Sequence, residues 1–411
     1  MELFDHWNIK PLSLPKANEY LEDLNSLKYS DSGILTEVNP FFFINEACQL
    51  LANSVKLFES GYFDCAFYSI RQALEVSISG LYLFSNPEKM KRWLNLENGF
   101  ELSTMVPELN SKKEEFAEIK DLFSDFFEKI KNEKKQMNKY VHKQGYKSLY
   151  FHYNSIYADG KPERITSLTN DFISILHDTI TAVAIYRLVI DPYPILMLDE
   201  DIVSRMPDLM TESFPKSFIE KYISDEYMEK YKKSKIYKGY YDYFKAKPAQ
   251  NEAVFALIHW QVFERKDYNL IMEQKELLSL HDMEAVELIM SSLKIGSVII
   301  GGCIDYSCET KLRDLSLTIG DAYYSKFFEG QKDYNVMYKN DYISRFYLND
   351  SMTYLKHNTV LEEEEIRKIS GLCEHYTMLF KSANELLKNL MEQNTANGKA
   401  MDKRKQGLWC E

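Results

Sequence analysis

In the first half of the chain, apolar residues recur at the three- and four-residue steps of α-helices. One such stripe runs from Phe41 to Phe58, and Gly61 interrupts it. A second stripe, over residues 62–84, begins directly after that glycine. Because the connection is so short, we expect these two helices to fold back on each other as an antiparallel hairpin.

The same pattern predicts two more helices before residue 192. The third spans residues 112–140 and ends in a lysine-rich turn, where cations are favourable with the helix dipole. The fourth spans residues 165–190 and is apolar on most faces, so we expect it at the centre of a core. Together the four helices predict an up-and-down bundle over residues 41–192. Residues 1–40, which contain three prolines, read as an irregular lead-in.

The second half of the chain also reads as helical. Residues 193–250 are interpreted as a connector that carries a segment rich in lysine and tyrosine at 227–247. Residues 251–393 are interpreted as a second helical domain, and residues 394–411, which lack periodicity, as a mobile tail. The candidate helices of the second domain span residues 251–265, 282–303, 309–328, 340–356 and 361–393. With only 15 glycines and 11 prolines in 411 residues, the predicted fold class is all-α, with two helical bundles.

Composition narrows the functional classes. The formal net charge of -12 argues against a free-standing, sequence-blind nucleic-acid binder, although a local basic groove is compatible with it. The first ten residues lack the basic start and apolar run of a signal peptide. The most apolar windows, residues 288–304 and 172–190, are both interrupted by charged residues, so we expect no membrane span and a cytoplasmic protein.

One stretch carries a resemblance to a known family. Leu57–Glu75 combines a short turn containing Tyr62 and Asp64 with a helix that reads Arg-Gln-Ala-Leu-Glu from Arg71. About 65 residues later, at the predicted end of the third helix, Tyr140-Val141-His142 forms an aromatic–aliphatic–His ending. Over residues 41–192 this arrangement resembles HEPN domains, small helical bundles found in toxins, phage-defence proteins and RNA-cutting enzymes.

The resemblance has implications for chemistry. In the ribonuclease motif of the family, four to six residues stand between an arginine and the histidine, but here the corresponding positions before His142 are Met137, Gln136 and Lys135. An active protein would cut RNA without a metal, with His142 handling protons and Lys135 and Arg71 as phosphate partners. Because HEPN-like domains without the arginine are common as non-catalytic modules, we expect binding or dimerisation rather than cleavage. The candidate RNA-binding residues are Lys131, Lys134, Asn138, Lys139 and Lys143.

Plainer structural interpretations stand beside each of these roles. His142 could cap a helix C-terminus, Arg71 and Glu75 could form a routine i,i+4 pair, and Asp64 could be a helix N-cap. In residues 227–247 the lysines could track phosphates while the tyrosines stack on bases, or the tyrosines could simply face inward.

Two functions are carried forward. The first is a HEPN-like protein of a bacterial defence or toxin–antitoxin system, which forms a homodimer through its N-terminal bundle and binds RNA or a protein. The second is a purely structural or regulatory helical scaffold that binds a protein partner. Neither needs a cofactor or a metal. A contiguous positive surface around residues 131–143 is required by the first and not by the second.

Overall fold

The computed structural model describes residues 12–32, 39–97, 102–145, 162–207, 211–301, 304–308, 321–349 and 351–407. The chain divides between Pro248 and Ala249 into two compact units. The protein is mostly helical, but the second unit also contains a six-stranded mixed sheet. The predicted all-α fold class is therefore correct in its helical part and wrong for the second unit.

The described part of the N-terminal unit is built of helices alone. Their bounds are α1 Ala17–Lys28, α2 Phe41–Glu59, α3 Phe63–Phe84, α4 Pro87–Leu94, α5 Leu102–Lys112, α6 Glu114–Leu122, α7 Ser124–Val141, α8 Pro162–Ile190, α9 Tyr193–Leu196, α10 Glu200–Val203, α11 Lys216–Phe218, α12 Ser224–Tyr231 and α13 Lys235–Lys245. A π-helical turn, Ile219–Ile223, joins α11 to α12.

Helices α2 and α3 form the hairpin that the sequence predicts. Gly61 makes the turn with a φ of 86°, in the left-handed region that favours glycine. The helices pack so closely that a Cβ added at Gly80 would lie 2.5 Å from the Cβ of Phe43. Glycine at position 80 therefore sets the distance between these two helices.

The central helix is α8, as the sequence predicts. It packs against α2, α3 and α7, and nearly every residue from Phe172 onward is buried. It also buries a charge, because the Arg187 side chain is fully inaccessible to solvent. Its guanidinium donates to the backbone oxygen of Ser30 at 2.9 Å and to Asp191 Oδ1 at 3.0 Å, and it lies 4.5 Å from the centre of the Phe41 ring.

Two predicted boundaries in this unit are wrong. The lead-in is not irregular throughout, because residues 17–28 form α1, which buries Tyr20, Leu24 and Leu27 in the core of the unit. The predicted connector also belongs to this unit up to Pro248, because it adds its own side chains to the same core. These buried side chains include Phe214, Phe218, Tyr231, Tyr237 and Phe244.

The predicted third helix is divided into two. Its axis breaks at Phe123, so that residues 114–122 and 124–141 form separate helices, α6 and α7. Residues 146–161, between the predicted third and fourth helices, lie outside the described residues.

The second unit contains a sheet with strand order β1-β3-β2-β6-β5-β4, in which only β1 and β3 are parallel. Its strands are β1 Val262–Phe263, β2 Ile295–Ile300, β3 Ile304–Cys308, β4 Val336–Tyr338, β5 Asp341–Leu348 and β6 Ser351–His357. Its helices are α14 Glu252–Trp260, α15 Tyr268–Glu273, α16 Leu280–Met290, α17 Asp321–Phe327 and α18 Glu363–Gly407. Short 3₁₀ turns cover Arg265–Asp267 and Lys275–Leu277.

Both faces of this sheet are covered, which explains why its strands resemble helices in sequence. Helices α16 and α18 pack on one face around Val298 and Leu355, and α17 packs on the other around Ile299 and Tyr354. Strands covered on both sides lose the simple alternation of polar and apolar residues that marks a half-buried strand. The predicted helices 282–303 and 340–356 are accordingly wrong in their strand regions.

The last helix, α18, runs farther than the sequence predicts. It continues from Glu363 to Gly407, so most of the predicted mobile tail at residues 394–411 is helical. Among the described residues, one segment, Thr166–Ile190, is long and apolar enough to cross a membrane, but 83% of its apolar window is buried inside the unit. A core helix of a soluble protein has the same properties.

We expect Asp191→Ala to lower the free energy of unfolding by about 3–5 kcal/mol, because it leaves the guanidinium of Arg187 buried without its counter-ion. Urea unfolding followed by circular dichroism measures this loss. The matched control is Asp201→Ala, which removes surface ion pairs with Arg205 and Lys245 and should cost far less. Equal losses in the two variants would show that the buried pair does not stabilise the unit.

Candidate functional site

The contact between α3 and α7 brings the predicted site residues together. The two helices run antiparallel: Asp64, in the first turn of α3, pairs with Lys143 just beyond α7, and Glu75, three turns later, meets Lys134 of α7. The ring of Phe67 stacks on Tyr140 with centroids 4.5 Å apart, and one turn along α3 Arg71 meets His142. We call the residues that line this contact, with the exposed lysines beside them, the α3/α7 site: Asp64, Arg71, Glu75, Lys134, Lys135, Asn138, Lys139, His142 and Lys143.

His142 lies at the C-terminus of α7, and its backbone N–H donates to the oxygen of Asn138 at 2.9 Å. Its Nε2 atom lies 3.3 Å from Nη1 of Arg71. Because a guanidinium can only donate, this contact needs Nε2 as the acceptor, which places the ring proton on Nδ1 in the neutral imidazole. The histidine is thus both a helix-terminal residue and a partner of Arg71.

Carboxylates neutralise part of the positive charge of the site. Arg71 donates from Nε and Nη2 to Glu75 Oε1, at 3.2 and 3.1 Å, which confirms the i,i+4 interpretation of this pair. Lys134 Nζ approaches the same oxygen to 3.4 Å. Asp64 is not the N-cap of α3 but lies in its first turn, where it accepts from Lys143 at 2.6 Å.

The remaining lysines face solvent. Lys131 pairs with Glu128 of its own helix at 3.0 Å. Lys135 and Lys139 are exposed and make no ion pair or hydrogen bond with any residue that the structure describes. Lys135 stands about two turns before His142 on α7 and makes no hydrogen bond with its ring.

The site is positive overall although the chain is acidic. It contains five permanent cations, at positions 71, 134, 135, 139 and 143, against the two carboxylates of Asp64 and Glu75. The Oδ1 atom of Asn138, one turn from both Lys134 and His142, is buried and has no hydrogen-bond partner among the described residues. A buried acceptor is costly to leave unpaired.

A second polar cluster, between α7 and α8, was not predicted as a unit. Lys129 Nζ lies 2.5 Å from Asp178 Oδ2, and His177 Nδ1 lies 3.4 Å from Asp178 Oδ1. His177 Nε2 also lies 2.8 Å from the backbone oxygen of Lys221, which requires a proton on Nε2. The adjacent side chains of His177 and Asp178 are thus tied into the packing of the unit. Its partners Lys129 and Glu133 are one turn apart on α7, a spacing that would have suggested a shared face.

Two carboxyl groups of this cluster, those of Glu133 and Asp178, carry one negative charge between them at neutral pH. Burial and a hydrogen bond with Asp178 raise the pKa of Glu133 to about 9, so this side chain is protonated at neutral pH. Burial also acts to raise the pKa of Asp178, but hydrogen bonds with His177, Glu133 and Lys129 outweigh it and hold the pKa below its ordinary range. The pair is therefore one acid and one carboxylate.

No group of three His, Cys, Asp or Glu side chains within the described ranges is arranged to hold a metal ion.

The lysine–tyrosine segment agrees in part with the interpretation in which its tyrosines face inward. Tyr231 and Tyr237 are buried, whereas Tyr243 is 57% exposed and lies 4.8 Å below Lys247 Nζ.

The comparisons with known proteins bear on the same region. Residues 40–163 match the model of a family of unknown function, DUF5677. The match covers under a third of the chain but includes every residue of the α3/α7 site. Searches of curated proteins and of solved structures found no match.

We expect Glu133→Gln to flatten the pH dependence of stability. Its pKa is raised in the folded state, so its contribution to stability is complete below the unfolded pKa of about 4.3 and is lost as pH rises toward 9. The free energy of unfolding of the wild type should therefore fall between pH 5 and pH 8, at up to about 1.4 kcal/mol per pH unit from this group. Glutamine keeps a hydrogen-bond donor for Asp178 and releases no proton.

Urea unfolding at several pH values between 5 and 8 measures both slopes. Glu128→Gln is the control, since this exposed residue lies on the same helix and should leave the slope as it is. Parallel curves for wild type and Glu133→Gln would show that Glu133 is not protonated in the folded protein.

Proposed function

We propose that the N-terminal unit contains a HEPN-like module over residues 41–192 that binds RNA through the α3/α7 site without cutting it. The observation that carries the proposal is the cluster of cations around the Arg71–His142 contact, on a chain whose overall charge is negative. Backbone phosphates are recognised by such clusters, and lysines supply point charges that tolerate any sequence.

The geometry favours binding over cleavage. Transition-state stabilisation needs donors that are preorganised and available, but the guanidinium of Arg71 is engaged by both Glu75 and His142. The lone pair of His142 Nε2 is taken up by the same arginine, and Lys135 does not reach the ring. The departure at positions 135–137 from the ribonuclease motif supports the same conclusion.

The exposed lysines are the first contacts that we assign to RNA. Lys135 and Lys139 are one turn apart on α7, so they can follow two phosphates along a single strand. Lys131, Lys134 and Lys143 are paired with carboxylates and would add contacts as those pairs exchange for phosphates. The resemblance to HEPN domains supports a cytoplasmic role in a bacterial defence or toxin–antitoxin system.

We expect the double variant Lys135→Gln/Lys139→Gln to bind a single-stranded oligoribonucleotide about tenfold more weakly than the wild type. It should also lower the slope of log affinity against log salt by about 1.4, since each lost phosphate contact removes about 0.7. Fluorescence anisotropy with a labelled RNA at several salt concentrations measures both quantities.

The matched control is Lys233→Gln/Lys238→Gln, which removes two exposed lysines from the lysine–tyrosine segment. If this control weakens binding instead, the lysine–tyrosine segment is the RNA-binding surface and the proposal is wrong. Cleavage of the RNA in the presence of EDTA, abolished by His142→Ala, would contradict the non-catalytic assignment.

The second candidate function is a helical scaffold that contacts a protein, and an exposed apolar cavity favours it. The cavity, of about 540 Å³, lies among α2, α3, α4 and α5 and is lined mainly by apolar side chains, among them Phe42, Val76, Trp93 and Leu94. Phe42 is 61% exposed. We assign a second copy of the chain as the occupant, which agrees with a homodimer formed through the N-terminal bundle.

We expect Phe42→Glu to convert a dimer into a monomer, as measured by sedimentation equilibrium. The variant should fold, because position 42 is in the first turn of α2, where an acidic side chain is favourable with the helix dipole. Tyr29→Glu, which changes an aromatic residue of similar exposure outside the cavity, is the control. A wild-type monomer, or a dimer that persists in Phe42→Glu, would exclude this interface.

A further inference from the structure

A small polar cavity lies at one end of the sheet in the second unit. Strand β2 begins there, β3 and β6 end there, and β5 begins there, because neighbouring strands in this part of the sheet are antiparallel. The volume of the cavity is about 190 Å³. Its charged lining residues are Arg265, Lys294, Lys356 and Asp341.

Three cations therefore line the cavity with one carboxylate, and only Lys294 has a close counter-ion outside that lining. Arg265 donates to the backbone oxygen of Ile289 at 2.8 Å and to that of Ile295, and no carboxylate of the described residues pairs with it. The Nζ atom of Lys356 lies 3.6 Å from Asp341 Oδ2, farther than a direct hydrogen bond.

The third cation, Lys294, is held in place by α18. Its Nζ atom binds Glu365 Oε2 at 2.6 Å and the backbone oxygen of Val360 at 3.0 Å. An ammonium group has three donors, so one remains for a ligand. Lys294 thus offers the cavity a hydrogen-bond donor in a fixed position, while Glu365 balances its charge.

The regular pairing of β2 with β6 is interrupted beside the same cavity. Ile295 pairs with His357 and Ser297 pairs with Lys356, so Gly296 is an extra residue in β2 and forms a β-bulge. The extra residue of a bulge is left out of the regular ladder of hydrogen bonds, and bulges occur often beside binding sites. Gly296 and Ser297 both line the cavity.

The side chain of His357 lines the cavity, and two hydrogen bonds hold its uncharged ring in place. Its Nδ1 lies 2.8 Å from the backbone oxygen of Thr359 and its Nε2 lies 2.9 Å from Ser344 Oγ. The first contact needs the ring proton on Nδ1, so Nε2 accepts from the serine. Burial lowers the pKa of His357, which keeps the imidazole neutral near pH 7. The positive charge of the cavity therefore comes from the arginine and the lysines.

We propose that this cavity binds a phosphate-type oxyanion through Arg265, Lys294 and Lys356. A tetrahedral oxyanion can accept from the guanidinium and both ammonium groups at once, and its negative charge offsets the positive charge that Asp341 and Glu365 leave unbalanced. The volume is below the range of about 300–1,000 Å³ for pockets that enclose drug-sized ligands. It therefore suits inorganic phosphate, or the terminal phosphate of a mononucleotide whose remainder stays outside.

The test is isothermal titration of the full-length protein with inorganic phosphate in a sodium chloride background of constant ionic strength. We expect saturable binding that Lys356→Gln weakens about tenfold, as befits a lost hydrogen bond to a charged group. Asp341→Asn should tighten binding, because it removes the one carboxylate that competes with the ligand. A merely structural role for these two residues would not give opposite effects.

Lys332→Gln is the matched control, since it removes an exposed lysine of the same unit that does not line the cavity. A second titration, with adenosine monophosphate, distinguishes the sources: tighter binding than inorganic phosphate identifies a nucleotide terminus, and weaker binding identifies the free ion. If neither compound binds saturably, or if Lys356→Gln binds as well as Lys332→Gln, the cavity is not an oxyanion site.

Discussion

The N-terminal unit depends on one cation that it buries completely. Helix α8 supplies most of the apolar centre of the unit, yet it carries Arg187, which would be very unfavourable there without partners. Asp191 neutralises the charge of Arg187, and the backbone oxygen of Ser30 accepts a hydrogen bond from the guanidinium. Because Ser30 follows α1 and Phe41 begins α2, this one guanidinium fixes the end of α8 against the start of the bundle.

The packing of the apolar core determines the geometry of the α3/α7 site. Gly80 lets α2 and α3 approach closely, and the stack of Phe67 on Tyr140 sets the register of α3 against α7. With that register, Arg71 falls beside His142 and Glu75 falls beside Lys134. A shift of one turn between the helices would separate both pairs. The polar contacts of the site are thus a consequence of apolar packing.

The sequence was a good guide where one face of a helix is buried and a poor one where a strand is buried on both sides. The α2/α3 hairpin and central helix α8 follow directly from the spacing of their apolar residues. In β2, by contrast, Ser297–Ile300 packs against helices on both faces, and such a run cannot be distinguished from a helix by periodicity. Its β-branched residues were the available signal.

The β5–β6 hairpin gave a clearer signal that went unused. Leu348 pairs with Ser351, so only two residues connect the strands, and Asn349 has a positive φ of 45°. An asparagine followed by an aspartate between two apolar runs is typical of such a turn. For the candidate site, the resemblance at residues 57–75 and 140–142 singles out Asp64, Arg71 and His142, and the structure brings Arg71 against His142. The double role of Glu75 does not follow, because it requires the register of two helices that are about 60 residues apart.

The arrangement of charges in the α3/α7 site also bears on what kind of chemistry it can support. Its paired cations are one-fifth to two-fifths exposed, so their carboxylate partners hold them in place at little desolvation cost. A phosphate that bound there would have to compete with those carboxylates, so its binding would be reversible and dependent on salt. Stabilising a pentacoordinate phosphorane would instead require donors that are free, rigid and shielded from water. The α3/α7 site is exposed, and Glu75 and His142 already engage its arginine. It is therefore compatible with reversible phosphate binding and lacks the free, shielded donors that cleavage would require.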